Sequence, residues 1–213
     1  MKKSSTFIKL TILFLVCIYT SSCGQNKPKL SSKYNKLLAE QLDSILTEDQ
    51  KYRHMIASVE EKYGIESKEN KELWKTIAAK DSINIIKVKS VLDKYGWPGT
   101  DEVGENGNSC LFLVIQHSDQ KTREKYLPLM REAVKQGKAQ GRNLALLEDR
   151  VALGQGKKQI YGSQVYRDEV TGKFYFAPIE DERNVNKRRM ALGLGKLENY
   201  AGEFGFEYKM PVK

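Results

Sequence analysis

The sequence predicts an α+β domain that is mainly α-helical and carries one small β-hairpin. Apolar residues recur at intervals of three and four through much of residues 33–152, which is the period of amphipathic helices. β-Branched and aromatic residues then cluster at 159–167 and 173–179, on either side of a turn at 168–172. No repeat period and no second hydrophobic pattern indicate another domain, so residues 33–213 are expected to form one.

The N-terminal residues are predicted to be a targeting signal followed by a tether. Lysines precede a mostly apolar run at 7–19, and small residues lead into Cys23. This order resembles the bacterial lipobox, so residues 1–22 are expected to be a lipoprotein signal peptide, Cys23 to be lipidated and residues 23–32 to be a polar tether. Ordinary signal cleavage and an uncleaved anchor are the alternatives.

Lipid on Cys23 would place the domain in the cell envelope, with the membrane as its first partner. The tether carries Lys27 and Lys29, whereas surface-exported lipoproteins often carry acidic residues there, so a periplasm-facing location is expected. Cys110 would then have no intramolecular partner, and its apolar surroundings predict a buried hydrophobic side chain.

Composition excludes several classes of function. The whole chain has 36 Lys+Arg and 27 Asp+Glu, and without the three lysines of the signal its formal charge is (36 − 3) − 27 = +6. Nucleic acid is a poor partner for such a chain outside the cytoplasm. The chain has few histidines, no free cysteine pair and no P-loop spacing. We therefore expect no metal site and no nucleotide or other cofactor.

The N-terminal half is predicted to be helical. Residues 33–63 form either two helices separated by a capping box at Thr47 and Gln50 or one long helix, and Gly64 ends the pattern. A helix around Trp74 follows, and Asp81 is the expected N-cap of the next helix.

A polar, glycine-containing loop is predicted at 99–108, before a short apolar helix at 110–116. Asp119 is the expected N-cap of a helix that ends at Gly137 and is kinked by Pro128. Three further short helices are expected at 142–152, 184–192 and 196–200.

His117 is the main candidate for chemistry. It closes an apolar helix and precedes Ser118 and Asp119, so it can face a cleft and act as a general acid or base. The competing interpretation is that the imidazole interacts with the C-terminal end of that helix while Asp119 caps the next one. His54 is expected to lie on the surface.

Three further polar groups stand out. Asp149 and Arg150 lie in an otherwise apolar helix, where charges need partners. Tyr161 and Gln164 lie at the approach to the hairpin. Arg188 belongs to a basic cluster that is either an anion site or a solvated helix face.

Five short motifs, in this order, look like those of an uncharacterised bacterial family classed as a domain of unknown function. They are WP at 97–98, QHSD at 116–119, LLEDR at 146–150, YGSQ at 161–164 and RRMALGL at 188–194. The resemblance covers about residues 70–202. It implies that six residues match the family's polar motif positions: His117, Asp119, Asp149, Arg150, Tyr161 and Gln164. Ser163 replaces the family's usual threonine and keeps its hydroxyl.

These residues support three hypotheses. The favoured one is a binding or interaction domain with a polar site around His117, Arg150 and Gln164 for a small ligand, a glycan or a protein; Tyr161 and Arg188 would also contribute. The alternative is a hydrolase-like enzyme in which His117 works with Asp119 or Asp149. The third hypothesis is purely structural, with the same side chains acting as caps and buried pairs.

Overall fold

A computed structural model describes residues 33–168 and 171–211 of the 213-residue chain. The predicted signal peptide, Cys23 and most of the tether lie outside these residues. Among the described residues, no helix combines the length and the hydropathy that crossing a membrane requires.

The fold is mainly helical with one two-stranded antiparallel sheet, which confirms the predicted class. The helices are α1 (Lys36–Arg53), α2 (Ile56–Tyr63), α3 (Lys68–Tyr95), α4 (Thr100–His117), α5 (Gln120–Lys135), α6 (Gly141–Gly154), α7 (Val185–Ala191) and α8 (Leu197–Glu203). The strands are β1 (Val165–Arg167) and β2 (Phe174–Phe176), and a 3-10 turn (Glu182–Asn184) precedes α7.

Helix α4 is central to the helical core because it packs against α1, α3, α5 and α6. In its apolar second half, Leu111 and Ile115 are fully buried in a core that includes Leu42 and Leu147. Burial of each such side chain contributes about 1.5–3 kcal/mol, so this core fixes the position of the C-terminal end of α4.

The prediction of a loop at 99–108 is wrong, because α4 already begins at Thr100. Its first turn is stabilised by Glu102, whose carboxylate accepts a hydrogen bond of 2.8 Å from the backbone N–H of Gly99. Gly104 interrupts the helix with a φ of 73°, a conformation that glycine adopts without strain.

The glycine and asparagine that suggested a loop there serve helix packing instead. A Cβ atom on Gly107 would lie 3.3 Å from Leu42 of α1 and 2.9 Å from Val103, so only glycine allows this close approach. The buried amide of Asn108 donates to the carbonyl oxygens of Pro98 and Lys138.

The N-terminal helices also differ from the prediction in two respects. Residues 33–63 form two helices, but the break lies between Arg53 and Ile56 rather than at the predicted capping box of Thr47 and Gln50, through which α1 continues. Helix α3 continues through Asp81. Asp81 is therefore not an N-cap; both of its carboxylate oxygens accept hydrogen bonds of 2.9 Å from Arg53 on α1. The predicted helix ends at Gly64 and Gly96 are confirmed.

The hairpin pairs Val165 with Phe176 and packs on the C-terminal part of the chain. The ring of Phe176 contacts the rings of Tyr200, Phe206 and Tyr208, with centroids 5.1–6.2 Å apart. This aromatic cluster gives the two short strands the apolar support that an isolated hairpin lacks.

Candidate functional site

The carboxylate of Asp149 organises the approach to the hairpin. The side chain is 0% exposed and accepts hydrogen bonds from the backbone N–H groups of Ile160, Tyr161 and Ser163, at 2.6, 2.9 and 2.8 Å. Burial raises the pKa of Asp149, and the three N–H donors oppose that effect. Both carboxylate oxygens of Asp149 therefore accept hydrogen bonds from backbone N–H groups.

Asp119 is the N-cap of α5, as predicted. One carboxylate oxygen accepts from the backbone N–H of Thr122 at 2.8 Å, and the other accepts from the Thr122 hydroxyl. The backbone hydrogen bond lowers the pKa of Asp119.

Tyr161 and Arg188 hold neighbouring segments together. The Tyr161 hydroxyl donates to Glu148 at 2.9 Å. Arg188 donates to the carbonyl oxygens of Ile160 and Glu180, and so joins α7 to both ends of the hairpin region. Both residues have partners that account for their positions.

His117 lies at the last position of α4 and contacts Asp49, a buried carboxylate of α1. Its Nδ1 lies 3.2 Å from Asp49 Oδ2, and its Nε2 lies 3.4 Å from Nε of Arg53. The arginine N–H donates to Nε2, so the imidazole is neutral and carries its proton on Nδ1. Among the described residues neither Asp119 nor Asp149 contacts His117, so the carboxylate that reaches it is not one that the sequence suggested.

The titration of this pair follows from burial and charge. Burial lowers the pKa of His117; the bond to Asp49 opposes this, and the positive charge of Arg53 adds to it. Burial raises the pKa of Asp49, but the bond from His117 and the charges nearby outweigh it, so that pKa lies below its usual value.

Asp49, Asp81 and His117 also form a group whose potential metal-ligand atoms all lie within 4.8 Å of one another. The guanidinium of Arg53 binds all three side chains: it donates to both oxygens of Asp81, contacts Asp49 at 4.0 Å and faces the His117 ring. It already supplies a positive charge to this cluster, so we interpret the cluster as an arginine-centred network that joins α1, α3 and α4.

Arg150 is a partly buried cation without a carboxylate partner among the described residues. Nη1 donates to the carbonyl of Gln116 at 3.0 Å and Nε donates to Gln164 Oε1 at 3.2 Å, but no ion pair involves Arg150 within 33–168 and 171–211. Burial, together with the charges of Arg123 and Arg53, lowers the pKa of Arg150 to about 9. The structure therefore places Arg150 beside Gln164, as the favoured hypothesis requires.

Gln164 connects Arg150 to an open cleft. Its amide accepts from Arg150, donates to the Ser163 hydroxyl at 3.0 Å and lines a cavity of about 310 Å³. We call this cavity the hairpin cleft; it lies between the start of α6, the approach to β1 and the α7–α8 region. Its lining includes Arg142, Leu146, Ser163, Gln164, Arg189, Lys196, Asn199, Tyr200 and Glu203.

Arg189 is the most deeply buried cation of the hairpin cleft, at 2% exposure. It donates to the carbonyl oxygens of Gly195 and Tyr161 at 2.6 and 2.8 Å, and it stacks over the ring of Tyr200 at 5.0 Å. No carboxylate within 4 Å pairs with it in the part of the chain that the structure describes.

A larger, more open depression of about 750 Å³ lies between the α2–α3 connection and the hairpin. Glu60, Tyr63, Arg167 and Phe174 contribute to its lining. None of the candidate site residues predicted from the sequence lines it, so the hairpin cleft is the better match to the predicted polar site.

Sequence reasoning missed several residues of these sites. Asp49, Arg53 and Tyr200 lie on helices whose apolar pattern predicts core residues but not polar contacts. Their partners are distant in sequence. Arg189 was included in the basic cluster that the sequence indicated as a possible anion site, but Arg188 was the residue singled out from it. On a helix adjacent residues face different directions, so α7 presents only one of them to the cleft.

Fold and site together define a small, mainly helical domain with a basic cleft beside a short hairpin. A family model described as a family of unknown function, DUF6624, matches residues 37–213, and the chain belongs to this family. Searches of curated proteins and of solved structures found no match.

Proposed function

We propose that this domain binds a small anionic ligand in the hairpin cleft, and that lipid on Cys23 holds it at the cell envelope, facing the periplasm. The observation that carries the proposal is Arg189, a buried guanidinium without a carboxylate partner that lines an open cavity. A buried charge is costly unless it is paired, and an anionic ligand would supply the missing pair.

The charges around the cleft agree with an anion. Three cations, Arg142, Arg189 and Lys196, face one carboxylate, Glu203, so the lining has a formal charge of +2. The cavity of about 310 Å³ is at the small end of ligand pockets. It therefore suits a small carboxylate or phosphate compound rather than a protein segment.

The guanidinium of Arg189 is also fixed in advance. Two of its nitrogens are held by carbonyl oxygens and its face is held by Tyr200, while Nη2 makes no hydrogen bond to a described residue. A donor that is already oriented loses little conformational entropy when a ligand binds.

Gln164 has a supporting role in this proposal. Because Arg150 donates to its oxygen and its nitrogen donates to Ser163, the amide is held in one orientation at the cleft. His117 does not line the cleft, and its partners are Asp49 and Arg53.

Calorimetric titration of the full chain in detergent, with citrate and inorganic phosphate as probes at constant ionic strength, tests the proposal. The double variant Arg142→Gln/Lys196→Gln removes two exposed cleft cations and should weaken binding about tenfold, as expected for two surface charges. Lys187→Gln is the matched control, because this exposed lysine of α7 does not line the cleft. Equal affinities for all three proteins, or no heat with either probe, would contradict the proposal.

The anchor has a separate test. Mass spectrometry of the mature N-terminal peptide should show an acylated Cys23, and Cys23→Ala should move the protein from the membrane fraction to the soluble periplasmic fraction. An unmodified cysteine in a membrane-free fraction would refute the anchor and leave the cleft proposal untouched.

A further inference from the structure

Three buried polar atoms without hydrogen-bond partners belong to neighbouring residues at the C-terminal end of α4. They are Nη2 of Arg150, Nε of Arg123 and Oε1 of Gln116. Buried polar atoms in native proteins almost always have partners, so unpartnered atoms on three residues around one helix end mark a candidate position for a bound group. None of them belongs to a residue that lines the hairpin cleft.

The backbone of α4 brings these residues together. Arg150 donates to the carbonyl of Gln116, and Arg123 donates to the carbonyl of Ser118, two residues further along the chain. Both guanidinium groups thus satisfy carbonyl groups at the negative end of the α4 dipole, which explains their attraction to this place. Arg150 Nε also donates to Gln164 and Arg123 Nη2 to Gln120, which leaves Arg150 Nη2 and Arg123 Nε without a partner.

The charges of Asp119 and Glu124 act on Arg123, but neither carboxylate forms an ion pair with it. No described carboxylate forms an ion pair with Arg123 or Arg150, and Arg53 adds a third positive charge nearby. Asp49 and Asp81 are already bound to Arg53 and His117. A negative charge between Arg123 and Arg150 would relieve their mutual repulsion.

We propose that Arg123 and Arg150 hold a small oxyanion that also carries a hydroxyl group, such as bicarbonate or hydrogenphosphate, at the C-terminal end of α4. This α4 anion site is separate from the hairpin cleft and does not depend on the function proposed for it. The free N–H groups of the two arginines donate to the oxyanion.

The hydroxyl requirement follows from Gln116. Its Nε2 donates to the carbonyl of Leu146 at 3.4 Å, which fixes the orientation of the amide and leaves Oε1 as an acceptor without a donor. A fully deprotonated anion cannot supply that donor. Bicarbonate and hydrogenphosphate can, because each combines oxygen acceptors with one O–H.

The experiment compares phosphate and bicarbonate binding to the full chain and to three variants, by calorimetry at constant ionic strength. Arg123→Gln should raise the dissociation constant of the bound oxyanion at least about tenfold, the loss expected for one charge-assisted hydrogen bond. Arg131→Gln is the control on the same helix, since this exposed arginine pairs with Glu148 and lies outside the site. Because phosphate also probes the hairpin cleft, the titrations are fitted to two sites. Lys196→Gln should weaken only the cleft component and leave the α4 component unchanged.

Crystals soaked in arsenate, an isostere of phosphate, keep the test decisive if Arg123→Gln does not fold. The anomalous peak marks the arsenic atom and should lie about 4 Å from Arg150 Nη2, because the oxygen that accepts the hydrogen bond lies between them. Ordered water at the three atoms, with no anomalous peak and no effect of Arg123→Gln, would overturn the proposal. Sensitivity to Lys196→Gln alone would place the anion in the hairpin cleft, and the α4 anion site would then be rejected while the cleft proposal stands.

Discussion

Replacing Asp149 by asparagine tests whether this carboxylate has a structural or a catalytic role. The change keeps the size of the side chain but replaces one oxygen by an NH₂ group that cannot accept a hydrogen bond. The three backbone N–H groups that now converge on the carboxylate would meet one acceptor and one donor.

The expected cost can be worked out from these three bonds. The remaining oxygen keeps its bonds to Ile160 and Tyr161, but these become neutral bonds, which are weaker by about 1 kcal/mol each. The N–H of Ser163 loses its acceptor and faces an NH₂ group, which costs about 1–3 kcal/mol for a buried donor. The free energy of unfolding should therefore fall by about 4 kcal/mol, a large part of the 5–15 kcal/mol that is typical of a domain.

Urea unfolding followed by circular dichroism at neutral pH measures this loss. Glu148→Gln is the matched control, because it neutralises the adjacent carboxylate, whose partners are the Arg131 and Tyr161 side chains. Its expected cost is about 1 kcal/mol. A loss below about 1 kcal/mol for the Asp149 variant would refute the reasoning, since three unmade or weakened buried bonds cannot cost so little.

Three further predictions concern other parts of the fold. Burial lowers the pKa of His117, so as the pH falls through about 6.5 the unfolded chain takes up a proton that the folded chain does not, and the free energy of unfolding falls. Urea unfolding between about pH 5 and 8 should show a flatter decline in the His117→Gln variant. The control His54→Gln should keep the wild-type slope. Gly162→Ala should lower the free energy of unfolding by about 1–3 kcal/mol, because Gly162 has a φ of +68° and a Cβ atom would lie 2.8 Å from Leu197; an unchanged melting temperature would contradict this. Phe176→Ala should cost about 2 kcal/mol and raise amide hydrogen exchange in β1, and a protected β1 in that variant would show that the aromatic cluster does not support the hairpin.

Much of the fold could be predicted from local patterns. Asp119 is followed by a helix that its side chain can cap, and Gly64 and Gly96 end helices, because these signals act within a few residues of the chain. The turn between the two apolar and aromatic runs likewise gave the position of the hairpin, although each strand is shorter than its run.

The errors arose where tertiary contacts decide the local structure. Residues 99–108 were read as a loop because glycines are poor helix formers, but Gly107 is required by the approach of Leu42 from another helix. Asp81 was read as a cap because its side chain often bonds to a nearby backbone; here its partner is Arg53, 28 residues away.

The candidate site was predicted only in part, for the same reason. Arg150 and Gln164 are neighbours as expected, since α6 leads directly into the hairpin approach that Asp149 holds. The partner of His117 comes from α1, 68 residues earlier, and no spacing in a single sequence reveals such a pairing.

The aromatic cluster around Phe176 affects the order in which parts of the domain can fold. Phe206 and Tyr208 follow helices α1 to α6 and both strands in the chain, so they are synthesised after the hairpin that they cover. Until they arrive, the face of the hairpin is open to water and to other chains. A truncation that removes only the residues after Gly205 should therefore yield a helical protein that is prone to self-association through its uncovered strands.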